Sequence, residues 1–108
     1  MIEILYFDGC PNHEGLEAHV RALLADAGVE LPITARRIDS DAEATAERFL
    51  GSPTIRVNGI DVDPTAATRD TYGLTCRVYP TDNGLRGTPP DEWILAALQR
   101  WPDVGRAG

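Results

Sequence analysis

The pair Asn58-Gly59, set between Thr54-Ile55-Arg56-Val57 and Ile60-Asp61-Val62, constrains the fold more than any other short stretch of this chain. A two-residue hairpin turn needs positive φ at both central positions, which Asn and Gly adopt most readily, so the flanking runs are predicted to be adjacent antiparallel strands. The residues before the hairpin have a different rhythm. IEILYF at 2–7 is short, β-branched and aromatic-rich, the pattern of a strand covered on both faces. From Pro11, the residues Leu16, Val20, Leu23, Leu24 and Ala27 recur at helical spacing until Gly28, predicting a helix over 11–27. PITARRID at 32–39 is a second strand candidate. Ser40-Asp41-Ala42-Glu43 carries a capping-box pattern, and Ala42, Ala46, Phe49 and Leu50 predict a short helix closed by Gly51.

Beyond the hairpin, residues 63–74 are polar and irregular and predict a surface excursion. Leu74, Cys76 and Val78 alternate with polar neighbours, which predicts an added strand with those three on one face, before Pro80-Thr81-Asp82-Asn83-Gly84 turns the chain. Thr88 is placed to cap a last helix that starts at Pro89 and Pro90, with Trp93, Ile94, Ala97, Leu98 and Trp101 as its buried stripe. The predicted class is α/β, in the order β-α-β-α-β-β-α, with a mixed central sheet flanked by helices and an insertion before the last helix. At 108 residues and 43% hydrophobic content the chain has enough for one core but not two, which predicts a single domain over 1–101 and a tail over 102–108.

Ten Lys+Arg against seventeen Asp+Glu give a formal charge of −7, which repels phosphate backbones, and no basic stripe appears, so no nucleic-acid partner is expected. No apolar run approaches the ~20 residues that span a membrane, and the first ten residues, with Glu3 and Asp8, lack the pattern of a signal peptide. The expectation is a cytoplasmic protein with no membrane partner. Two cysteines are too few for a four-thiolate zinc site or an iron–sulfur cluster, so no metal site or cofactor is expected, and inert thiols, a redox pair or a soft-metal pair remain.

Cys10 follows the first predicted strand and precedes Pro11, which places it at the start of the first predicted helix. There the N–H groups of Asn12 and His13 and the positive end of the helix dipole favour thiolate over thiol. A buried, unreactive cysteine near a turn is the other reading. A strand ending in such a cysteine, followed some forty residues later by Gly51-Ser52-Pro53-Thr54 and an Asn-Gly hairpin, resembles the thioredoxin superfamily. More closely, YFDGCPNHEGLEAHVRALLADAG, FLGSPTIRVNGIDVDP and GLTCRVYPTDNGLRGTPPDEWILAAL are similar to small bacterial thioredoxin-like proteins, the DF-family (seleno)protein or alkylmercury-lyase-like group, in which the position of Cys10 can hold selenocysteine.

That resemblance implies a thioredoxin-like fold, a nucleophilic Cys10, and a cis Pro53 packed beside its sulfur, with Ser52 exposing its backbone to a partner. Pro11 and Asn12 fall with Ser52 and Pro53 in the implied substrate-binding region. It also implies a thiol or disulfide substrate, protein or small molecule, and a thiol oxidoreductase activity. The chain departs from Cys-x-x-Cys, because His13 stands where the second cysteine would be. His13 is then either an acid–base partner of the thiolate or an exposed residue of the first turn. Cys76 is either the resolving thiol or a packing cysteine. Three other functions stay open: soft-metal (mercury) binding by the two thiolates, an alkylmercury-lyase-like cleavage, and a non-catalytic interaction module.

Overall fold

A computed structural model of the chain describes residues 1–9, 13–82 and 84–99. Four strands form one mixed sheet: β1 (Ile2–Tyr6), β2 (Ile33–Arg37), β3 (Thr54–Val57) and β4 (Ile60–Asp61), in the order β2-β1-β3-β4. β1 pairs parallel with β2, from Ile2 opposite Ile33 to Tyr6 opposite Arg37, and antiparallel with β3, from Ile2 opposite Val57 to Leu5 opposite Thr54. β3 and β4 make the expected hairpin, with Asn58 at φ 51° and Gly59 at φ 83°, both left-handed as a type I′ turn demands.

Three helices cover the sheet: α1 (Leu16–Ala27), α2 (Asp41–Ala46) and α3 (Asp91–Gln99). Strand alternation divides the core between the two faces. Ile2, Ile4, Ile55 and Val57 pack with Leu16, Val20 and Leu24 of α1 and with Ile94, Ala97 and Leu98 of α3. Leu5, on the other face, packs with Ile38, Ala44 of α2 and Phe49. A 3-10 turn at Ala66–Thr68 and a separate hairpin of β5 (Tyr79–Thr81) and β6 (Gly84–Arg86) make up the insertion before α3. The molecule is therefore a small mixed α/β structure with a four-stranded mixed sheet and three helices. Among the described residues no helix is long and apolar enough to cross a membrane.

Each helix departs from its predicted bounds for a local reason. α1 begins at Leu16 and not near residue 11, because Gly15, at φ 76°, interrupts the backbone just before it. α2 is capped as expected by Ser40, whose Oγ accepts from the Glu43 N–H at 3.1 Å, while the Glu43 carboxylate takes the Asp39 N–H at 2.8 Å. It ends at Ala46 and not at Gly51, because Arg48 turns left-handed at φ 55°. α3 begins at Asp91, two residues beyond the expected start, since a residue before proline is driven out of the helical region and Pro89 precedes Pro90. The predictions for Trp101 and for the tail over 102–108 lie outside the described residues.

Candidate functional site

The antiparallel pairing of β1 with β3 puts the last residues of β1 and the first residues of β3 at one end of the sheet. The chain leaves that end through Phe7, Asp8 and Gly9 and is back at His13, whose ring stacks on Tyr6 with centroids 4.3 Å apart and planes 19° from parallel. Cys10, Pro11 and Asn12 lie outside the described residues. α1 itself starts at Leu16 with Gly15 as its N-cap, and the helix terminus expected beside Cys10 falls outside the described residues.

Ser52 and Pro53 precede β3 at the same end, joined by a cis peptide bond, the isomer that the resemblance implied. The backbone of Ser52 does not face outward as expected. Its N–H donates to the Thr75 carbonyl at 2.8 Å, and its carbonyl accepts from the Arg77 N–H at 2.9 Å, which makes a parallel bridge between Ser52 and Cys76. Ser52 is fully buried by this pairing. The close approach needs Gly51 beside it: at φ 130°, a Cβ there would sit 3.0 Å from both the Thr75 carbonyl oxygen and the Arg77 Cβ. Cys76 is exposed.

Of the three residues predicted to share a face, Leu74 is half-buried against the core of Leu5, Ile38, Ala44 and Phe49, whereas Cys76 and Val78 are exposed, Val78 by 50%, and Arg77 and Tyr79 are buried. The segment is also not a continuous strand: Cys76 forms an isolated bridge with Ser52, and regular pairing starts at Tyr79. The physical reason is the ion cluster that receives Arg77. Its Nη1 reaches Asp61 Oδ2 at 2.8 Å and its Nη2 reaches Asp61 Oδ1 at 3.1 Å, a two-pronged pair. Nη2 also reaches Asp63 Oδ2 at 3.2 Å, and Nη1 donates to Thr54 Oγ1 at 3.0 Å. The guanidinium lies 4.7 Å from the centre of the Tyr79 ring, and the Tyr79 hydroxyl donates to the Pro53 carbonyl at 2.6 Å.

Burial disfavours the Arg77 charge, but the hydrogen bond to Asp61 and the surrounding negative groups overcome it and hold its pKa above the ordinary value. Burial likewise pushes the Asp63 carboxyl up, but the Thr65 N–H and hydroxyl and then Arg77 outweigh it and hold it below the usual carboxylate value. Burial pushes the Tyr79 phenol up. Two hydrogen bonds, one inward-pointing cation and one inward-pointing phenol thus fix residues 75–79 against the start of β3, with Cys76 on the outer side.

Sequence reasoning found Ser52, Pro53, Cys76 and His13, and the structure brings them to one end of the sheet. It missed the charged residues that bury one another, Arg77, Asp61 and Asp63. The signal that could have found them is the spacing of Asp61 and Asp63 just after the hairpin, two carboxylates that need a cation to be buried. His19 meets Asp91 with Nε2 2.7 Å from Oδ1 and so ties α1 to the start of α3. Comparison with family models, with curated proteins and with solved structures returns no match for this chain.

Proposed function

We propose that the protein is a thioredoxin-like thiol oxidoreductase in which Cys10 attacks and Cys76 resolves. The observation that carries this reading is the pairing of residues 75–77 with Ser52, which holds an exposed cysteine at the end of the sheet where β1 finishes and His13 stacks on Tyr6. In the resemblance, the backbone of Ser52 is offered to a partner. Here the chain's own insertion takes both of its hydrogen bonds and delivers Cys76 to that place, which supports a resolving thiol supplied from within.

The chemistry balances as two exchanges. The Cys10 thiolate attacks one sulfur of a disulfide substrate, forming a mixed disulfide and releasing the other half as a thiolate that takes up a proton. The Cys76 thiolate then attacks the Cys10 sulfur, forming a Cys10–Cys76 disulfide and releasing the second half of the substrate as a thiol. The substrate gains two electrons, the protein loses two, and an external dithiol restores it.

Reaction with excess hydroxyethyl disulfide, followed by mass spectrometry, tests the scheme. Wild type is expected to end as an internal disulfide, Cys76→Ser to accumulate the mixed disulfide on Cys10, and Cys10→Ser to react much more slowly. Equal rates for wild type and Cys10→Ser would overturn the assignment of the nucleophile.

A further inference from the structure

A cleft of about 420 Å³ opens between the end of α2 and the β3–β4 hairpin. Its apolar wall includes Leu50, Ile60 and Ala67. Its five charged residues decide its character once each ion pair is followed. Asp61 is taken by Arg77, Asp63 by Arg77 and Arg69, and Glu47 by Arg36 at 3.0 Å. Arg48 and Arg56, also on the lining, meet no carboxylate within ion-pair distance among the described residues. Arg56 lies in register between Glu3 and Asp61 but directs Nη2 to the backbone carbonyls of Glu47 and Arg48. In a chain of formal charge −7, the cleft therefore presents two uncompensated guanidinium groups beside an apolar wall.

Arg48 also occupies a position that suits it poorly. The Arg48 N–H bonds to the Thr45 carbonyl at 3.2 Å and the Phe49 N–H to the Ala44 carbonyl at 2.8 Å, the paired bonds of a Schellman helix end. The residue at the left-handed position of that motif is normally glycine, because a Cβ is disfavoured there, yet here it is an arginine at φ 55°. Unfavourable backbone geometry that persists in a cleft points to a use for the side chain.

We infer that this cleft binds a small monocarboxylate with an apolar or aromatic body, the carboxylate against Arg48 and Arg56 and the body along Leu50 and Ile60. The volume lies in the range of small-molecule sites, and it exceeds what an inorganic anion would fill. A guanidinium suits a planar carboxylate because it donates through two parallel N–H bonds. The nearby acidic groups, though paired, disfavour a dianion. The inference does not depend on the cysteine chemistry.

Titration followed by nuclear magnetic resonance at the Arg48 and Arg56 Nε–H groups and the Ile60 methyls tests the inference, with phenylacetate and hexanoate as probes. Both carboxylates are expected to shift these signals saturably, with phenylacetamide and inorganic phosphate at least about tenfold weaker. Arg48→Gly is expected to weaken phenylacetate by about tenfold while leaving the melting temperature unchanged or higher, since glycine suits the backbone there. Phenylacetamide or phosphate binding as tightly as phenylacetate would overturn the inference. So would unchanged phenylacetate affinity in Arg48→Gly, which together with a lowered melting temperature would assign Arg48 to the helix end alone.

Discussion

The two sides of residues 76–79 are built on opposite principles. Arg77 and Tyr79 face inward, where a cation meets two carboxylates, a hydroxyl and an aromatic ring, and a phenol meets the Pro53 carbonyl. Cys76 and Val78 face outward, exposed. The usual sorting would bury the cysteine and valine and expose the arginine. The difference shows that position, and not the hydrophobicity of the segment itself, decides which side is in: Asp61 and Asp63 are fixed by the hairpin and the turn after it, and they require a cation. The inner side thereby carries the stability of the segment and leaves the outer side available for chemistry.

Breaking the inner side has the largest expected effect. Arg77→Met should lower the unfolding free energy by about 3–5 kcal/mol in urea denaturation, because it takes the buried cation from Asp61 and Thr54 and leaves the buried Asp63 with Arg69 as its one ion-pair partner among the described residues. An effect as small as that of an exposed substitution would mean that the inner and outer sides do not differ as described.

Asp63→Asn should cost about 1–3 kcal/mol at neutral pH, with Asp61 still holding Arg77. This variant also sharpens the comparison through pH. The folded carboxyl of Asp63 is held below its ordinary value, so its contribution is complete above about pH 4 and is lost as the pH falls through the lowered value. Stability measured from pH 5 downward should fall more steeply in wild type than in Asp63→Asn.

Tyr79→Phe, which keeps the ring and removes only the hydrogen bond to Pro53, should cost about 1 kcal/mol in the same denaturation assay. On the outer side, Cys76→Ser should change stability by less than about 0.5 kcal/mol, since the residue is exposed and its bridge to Ser52 is made by backbone.

Much of the frame was legible because it rests on residues with one strong local preference. Asn58-Gly59 specified the hairpin, Ser40 and Glu43 specified the start of α2, and the spacing of Leu16, Val20 and Leu24 specified the buried face of α1. What escaped depended on competition between local rules or on partners distant in sequence. Alternation over residues 74–79 puts Leu74, Cys76 and Val78 on one face without saying which face is buried, and Asp61 and Asp63, some fourteen to sixteen residues before Arg77, decide it. The start of α1 was masked by Pro11, which suits a first helical turn, while the left-handed Gly15 sets the actual boundary. For the candidate site, the sequence singled out Ser52, Pro53 and Cys76 but not the backbone pairing that joins them, since no side chain signals it.

The central claim is that Cys76, held outward beside Ser52, resolves the intermediate formed on Cys10, and a non-reducing peptide map of the full chain after oxidation by a small disulfide tests it most directly. A peptide linking Cys10 to Cys76 within one chain, formed in wild type and abolished by either serine variant, is the predicted result. Oxidised protein that carries only mixed disulfides or links between chains, with no Cys10–Cys76 peptide, would contradict it.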